Sequence, residues 1–421
     1  MEQLQKIERF IQEGDVEALD TFIDKLAKST DLDMLYEAAA LFASYGFLGE
    51  ADYLYETLLN HLPDEAQLKI DRANILIELD KEDEALLLLS EIKPQDEEYV
   101  QALLALADYY QMTGLAETAL SKVKEAYTLL PNEPIIRFAY AELLLDSGKF
   151  SEAARFYSEL KEEVEKIGDV SISSRLAETY SAGAAYEQSI PYYEELLEEK
   201  RLPDTLFGAA FAYYQLGEAT KAVPLLNELI DIDPDYYSAY MLAGKAMQLA
   251  GNEEKAYKMF QKGINRDEFD KELQLSAGKC ALKLGRPDEA EQHLKDALAL
   301  DPEYVEALIT LASLYNENER DEDLIELLAF AREENIDIPL LNAFLAYAYE
   351  RTDQFKKAYD SFVKAYSEMK DDYEFLSKYA SFLIEEGKRG KAVEVVEQLV
   401  TLFPDDQNWR AFLEAQTDEE V

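Results

Sequence analysis

Two histidines, one cysteine and a few glycine–lysine pairs are the residues of this 421-residue chain from which chemistry could be built. A histidine metal site or a nucleophilic triad needs an imidazole beside further ligands or a nucleophile. His61 and His293 stand far apart in the sequence and are expected at surface or lip positions. Cys280 falls on an apolar helical run and reads as a buried structural thiol. As the single cysteine it forms no intramolecular disulfide, which suits a reducing compartment. Gly148-Lys149, Gly244-Lys245 and Gly278-Lys279 resemble the end of a phosphate loop, yet none completes that spacing and none follows a strand. Carboxylates are everywhere, so no pair stands out as acid and base, and the Asp/Asn ladder of a calcium loop is missing. The expectation is a protein without catalysis, metal or cofactor.

Charge narrows the partners. Lys and Arg total 41 against 88 Asp and Glu, a formal net charge of −47. Such a surface repels nucleic-acid phosphates and anionic lipid heads and favours proteins with basic patches. A plain solvated acidic surface, or halophilic adaptation, gives the same excess. The apolar fraction of 48% excludes global disorder. No run approaches a membrane span, and the opening MEQLQKIERFIQEGD has neither a basic leader nor an apolar signal core. A cytoplasmic protein is expected.

The elements that would position any site follow from a repeat. Gly114, Gly148, Gly217, Gly251 and Gly285 recur at one or two periods of 34 residues, with one extra residue between Gly148 and Gly217. Each follows a helical run, where a left-handed residue ends a helix. Gly46 and Gly387 keep the same phase at the two ends. Five residues beyond these glycines stand Ala51, Ala119, Ala153, Ala222, Ala256, Ala290 and Ala392, small enough for two helices to approach closely. One turn later come larger groups: Tyr55, Tyr157, Leu226, Phe260 and Leu294. Pro63, Pro131, Pro234, Pro302 and Pro404 close the second helix. In residues 100–133 the first helix carries Leu103, Leu106, Ala107 and Tyr110, Gly114 turns the chain, and the second carries Ala119, Val123 and Ala126 up to Pro131.

This pattern resembles the tetratricopeptide repeat family over about nine-tenths of the chain, with repeats starting at 32, 66, 100, 134, 170, 203, 237, 271, 305, 339 and 373. The resemblance implies an all-α fold, a right-handed superhelical α-solenoid of about eleven helix-turn-helix repeats. Residues 1–31 read as a degenerate helical pair, 32–169 and 170–406 as two repeat blocks, and 407–421 as a capping helix with an acidic tail, Asp418 to Val421. Asp80, Glu319 and Asp353 replace the usual glycine and are expected to turn more tightly or fray. Residues 161–171 carry a two-residue insertion, read as a bend between the halves. The whole chain is also similar to cytosolic repeat proteins of Bacillus-type bacteria.

In this family the first helix of each repeat lines a concave groove, and its ninth residue points inward. Here that place is held by Ala40, Asn74, Asp108, Glu142, Glu178, Phe211, Lys245, Lys279, Ser313, Tyr347 and Ser381. Asp108, Glu142 and Glu178 then make an acidic ladder; Phe207, Phe211 and Tyr214 an apolar patch; Lys245, Lys279 and Lys283 a basic step. The expectation is a bipolar groove for partner proteins with basic or mixed-charge segments, RNA polymerase and ribosomal proteins being candidates. Direct nucleic-acid binding is not expected. The rival readings are a peptide-sensing regulator and a chaperone-like assembly factor. The family's clamp for chaperone tails needs a Lys and Asn set that this row lacks.

Overall fold

A computed structural model describes residues 2–13 and 16–419, and its described elements are 25 helices and one two-stranded ribbon. The chain divides into two compact units, Met1–Arg201 and Leu202–Val421. In the first, the helices Glu2–Glu13 and Val16–Leu26 precede five helical hairpins, from Leu32–Ser44 with Leu48–His61 to Ile172–Ala182 with Tyr186–Glu199. The second holds six hairpins, from Pro203–Gln215 with Ala219–Ile232 to Tyr373–Glu385 with Arg389–Leu402, and then Gln407–Glu419. Each unit is an all-α stack of the kind the repeat implied.

Packing explains why the period holds. The eighth place of every repeat is alanine or glycine, and all eleven are buried: Ala39, Ala73, Ala107, Ala141, Ala177, Ala210, Gly244, Gly278, Ala312, Ala346 and Ala380. The second helix of each hairpin brings a large buried group sixteen residues later: Tyr55, Leu89, Val123, Tyr157, Tyr193, Leu226, Phe260, Leu294, Leu328, Phe362 and Val396. A small residue on one helix admits a knob from the other, and each such knob contributes about 1.5–3 kcal/mol on leaving water. The ends are closed differently. Ile7 of the first helix is fully buried, whereas Trp409, Phe412 and Leu413 of the last lie against the terminal core. Trp409 also donates to Ser377 Oγ at 3.2 Å. Glu420 and Val421 of the expected acidic tail lie outside the described residues.

Glycines of the repeat turn take a left-handed backbone, Gly114 at φ +76 and Gly251 at φ +73 among them. Asp80, Glu319 and Asp353 take it too, at φ 57, 51 and 55. They keep the same turn rather than tightening it, because the capping bonds require that geometry whatever the side chain. Ala184 does likewise at φ 55, with its N–H on Ser181 O at 3.0 Å and that of Ala185 on Tyr180 O at 2.7 Å. A β-carbon there costs about 1–2 kcal/mol, partly offset by the greater chain entropy of glycine. Ala184→Gly is therefore expected to stabilise the protein by about 0.5–1 kcal/mol in a urea titration, and an unchanged midpoint would contradict the strain.

The insertion at 161–171 forms a small antiparallel ribbon, Lys166–Ile167 with Val170–Ser171, turned by Gly168 at φ 56. Glycine at the first turn position matches the two-residue hairpins that suit twisted strands. The division into compact units falls further on, between Arg201 and Leu202.

Candidate partner-binding surfaces

In the Met1–Arg201 unit the three expected acids differ in state. Asp108 and Glu178 are exposed, whereas Glu142 is half-buried. Glu142 accepts a hydrogen bond from the Tyr157 hydroxyl and pairs with Arg175 Nη2 at 2.9 Å. Arg175 Nη1 reaches Glu178 at 2.8 Å, so one guanidinium bridges two rungs of the ladder. The expected acidic run is thus partly neutralised, which the row of ninth residues did not reveal. Arg175 stands three places before Glu178, a helical pairing distance that the sequence does carry. Burial holds the Glu142 carboxyl above its ordinary value, against the pull of Tyr157 and Arg175. Asp108 is open on one side, yet the protein around it excludes enough water to raise its carboxyl as well.

The Leu202–Val421 unit gathers most of the other expected residues. Phe207, Phe211, Tyr214 and Lys245 line one cleft of about 560 Å³ between the helices Pro203–Gln215 and Tyr237–Leu249. The rings of Phe207 and Phe211 are stacked, 6.5 Å apart and inclined by 14°. Tyr236 lies against Phe207 at 5.1 Å. Gln215, Tyr237, Ser238, Met241, Asp270 and Glu272 complete the main lining and were not singled out beforehand. Tyr237 and Met241 precede Lys245 at intervals of four, one face of one helix, so the sequence did contain that signal. Lys245 is exposed and makes no ion pair among the described residues.

The basic step is corrected by the stacking. Lys279 is paired with Glu306, and Lys283 with Glu253 at 3.2 Å. Each partner sits on another helix, so stacking supplies an acid where the linear row showed only bases. Both pairs are largely exposed and hold by no more than about 1 kcal/mol. Elsewhere in the row Ala40, Asn74 and Ser381 are exposed, Ser313 is partly covered, and Tyr347 is buried beneath Lys378, whose amine stands 4.4 Å over its ring.

His61 is exposed at the end of its helix. His293 is instead half-buried, its Nδ1 2.8 Å from Gln274 Oε1 and its Nε2 3.1 Å from the Tyr257 hydroxyl. Burial lowers its pKa, so the ring is a neutral bridge between two helices. Cys280 is fully buried, its thiol pushed up to about 12 by burial and by Glu253, which suits a packed thiol and not a nucleophile. Among the described residues no three His, Cys, Asp or Glu side chains are grouped to hold a metal, and no helix is long and apolar enough to cross a membrane.

Comparison with known proteins places this architecture. A family model for YpiA-like tetratricopeptide repeats matches residues 111–164, and one for YpiA-like C-terminal tetratricopeptide repeats matches 339–406. General tetratricopeptide repeat models match 204–236 and 281–346. The TPR repeat-containing protein YpiA of Bacillus subtilis is 36% identical over 399 residues, 95% of this chain and 94% of that protein. Anaphase-promoting complex subunit 3 of Schizosaccharomyces pombe is 24% identical over 260 residues, 60% of this chain and 34% of that protein. Among solved structures, YrrB, described as a TPR protein with an unusual peptide-binding site, superposes with a TM-score of 0.37 at 17% identity, covering 44% of this chain and 95% of that one.

Proposed function

This chain belongs to the YpiA-like tetratricopeptide repeat family, and on that premise we propose that it is a non-catalytic cytoplasmic adaptor that grips partner proteins through segments of basic or mixed charge. Tetratricopeptide repeats are in general scaffolds for protein–protein interaction. The observation that carries the finer reading is the cleft of Phe207, Phe211, Tyr214 and Lys245, where an aromatic floor is flanked by an unpaired amine and by the carboxylates of Asp270 and Glu272. An apolar side chain of the partner anchors on the stacked rings, and charges on either side of it meet groups of opposite sign. The acids Asp108, Glu142 and Glu178 of the other unit add attraction for basic chains. Basic proteins of the transcription and translation machinery, RNA polymerase and ribosomal proteins among them, are the proposed partner class.

The test is fluorescence anisotropy of the full chain with a labelled peptide bearing one leucine between lysines and glutamates. Replacing both Phe207 and Phe211 by alanine is expected to weaken binding by more than about 10-fold. Raising salt from about 20 to about 200 mM is expected to weaken it further, since exposed charges are screened within a Debye length. Lys245→Ala combined with Lys279→Ala should reduce capture of the glutamate-bearing peptide and spare an all-lysine version. Binding that ignores salt and the aromatic pair alike would overturn the proposal, and an unaffected lysine double variant would remove its basic half.

A further inference from the structure

The Leu202–Val421 unit carries one surface whose polarity runs against the rest of the chain. Eight of the eleven second helices open with an acid in their first turn, as suits the positive end of a helix dipole. The helix Ala219–Ile232 lacks one but pairs its Lys221 with Glu218 at 2.6 Å. The last two, Phe355–Tyr366 and Arg389–Leu402, open with Lys356, Lys357, Arg389 and Lys391 instead. Bases in that place oppose the dipole by about 0.3–1 kcal/mol each. In a chain with 88 acids and 41 bases, a local rule broken twice in succession points to function and not to stability.

Side chains from both helices converge on one ring. Lys391 donates to the Tyr359 hydroxyl, and its ammonium stands 5.0 Å from the centre of that ring. The ammonium of Lys388 stands 4.7 Å from the same centre. One tyrosine thus holds two like charges close together, an arrangement that an anion between them relieves. Lys356 is exposed one turn before Tyr359 on the same helix face. Lys356, Lys388 and Lys391 form no ion pair among the described residues. Asp360 and Glu394 are exposed nearby, and Glu394 draws on Lys391 from beyond pairing distance. Phe355 and Val363 stand four places to either side of Tyr359, 42% and 44% exposed. The face is therefore an apolar stripe bordered by three amines without acids. We infer that it docks an acidic segment of a partner protein, in which carboxylates flank one bulky apolar side chain. The carboxylates meet Lys356, Lys388 and Lys391, and the apolar side chain lies on Phe355 and Val363. A nucleic acid fits less well, because an extended polyanion laid here would overrun Asp353, Asp360, Glu386 and Glu394. The surface shares no residue with the aromatic cleft.

The experiment is fluorescence anisotropy of the full chain with labelled Ser-Asp-Glu-Phe-Glu-Asp-Ser, at about 150 mM salt, where repulsion from the rest of the chain is screened beyond about 8 Å. The peptide is expected to bind, and its neutral counterpart Ser-Asn-Gln-Phe-Gln-Asn-Ser to bind at least about 10-fold more weakly. Lys388→Gln combined with Lys391→Gln should weaken the acidic peptide by about 5-fold or more while moving the melting temperature by less than about 2 °C. Phe355→Ala should weaken it several-fold, and Lys122→Gln with Lys124→Gln, the same loss of charge on the other unit, should leave it within about 2-fold. No binding at about 1 mM, equal binding of the neutral peptide, or indifference to the Lys388 and Lys391 changes would each overturn the surface. So would a loss caused by Lys245→Ala instead, which would seat the peptide in the aromatic cleft. Tighter binding of a single-stranded oligonucleotide, or self-association abolished by the same lysine changes, would replace the acidic segment with a nucleic acid or a second copy of this chain.

Discussion

Gly244→Val is expected to destabilise the protein by about 3 kcal/mol. Gly244 sits in the middle of the helix Tyr237–Leu249, where a side chain normally helps: alanine is favoured over glycine by about 1 kcal/mol. Geometry reverses that preference. A β-carbon on Gly244 would lie 2.1 Å from Phe260 Cε1 and 2.6 Å from both Cδ1 and Cζ. Phe260 is fully buried, so its ring has nowhere to swing without opening the hairpin. The neighbouring repeat shows the milder case, since a β-carbon on Gly278 would meet Leu294 at 3.0 Å. Phe260→Leu should therefore recover part of the loss, giving a coupling energy of about 1 kcal/mol or more in a double-mutant cycle followed by urea unfolding. The same valine should also weaken peptide binding, because this helix carries Tyr237, Met241 and Lys245 into the cleft. A loss below about 1 kcal/mol with additive double variants would show that the ring yields freely and that shape matching does not set the repeat.

That pair also shows what the sequence could and could not tell. The phase of the glycines, the alanines five places on and the larger groups one turn later were enough for the hairpin stack, because each position answers a local demand of helix ending or helix contact. The column of small residues at the eighth place was equally legible and explains why Gly244 belongs with the alanines. The left-handed backbone of Asp80, Ala184, Glu319 and Asp353 was not, since the turn is imposed by capping bonds and any residue can be pressed into it. At the candidate surfaces, Phe207, Phe211 and Tyr214 of one first helix share a cleft with Lys245 of the next, which the reading of Lys245 as part of a separate basic step did not include. What failed was reading Lys279 and Lys283 as open charges. Their partners, Glu306 and Glu253, lie 27 and 30 residues away and meet them only through stacking.

A second expected result concerns acid. Glu291, on the helix Pro287–Leu300, is a fastening point between repeats. It accepts from the Arg320 guanidinium and from the Tyr315 hydroxyl at 2.8 Å, and it pairs with Lys295 at 2.8 Å. Arg320 is itself stacked 4.5 Å over the Tyr315 ring and held by Asp323 at 2.7 Å, so it presents its fork with little freedom left to lose. Arg320 first, then Lys295 and Tyr315, hold the Glu291 carboxyl at about 2, against 4.5 for an ordinary glutamate, although burial pulls the other way. The folded value is the lower one, so the unfolded chain takes up the proton first. The stabilisation is complete above about pH 4.5 and drains away as pH falls towards 2. Unscreened, that displacement corresponds to roughly 3 kcal/mol; with Arg320 and Lys295 side chains 38% and 53% exposed, solvent reduces it to about 1–2 kcal/mol. Glu291→Gln should therefore cost about 1–2 kcal/mol at pH 7 and about a quarter of that near pH 2.5, as read from urea midpoints at the two values. The glutamine keeps the size of the side chain and can still accept from Tyr315, so the difference isolates the charge. A penalty equally large at both pH values would mean that shape, not the anion, fastens these repeats.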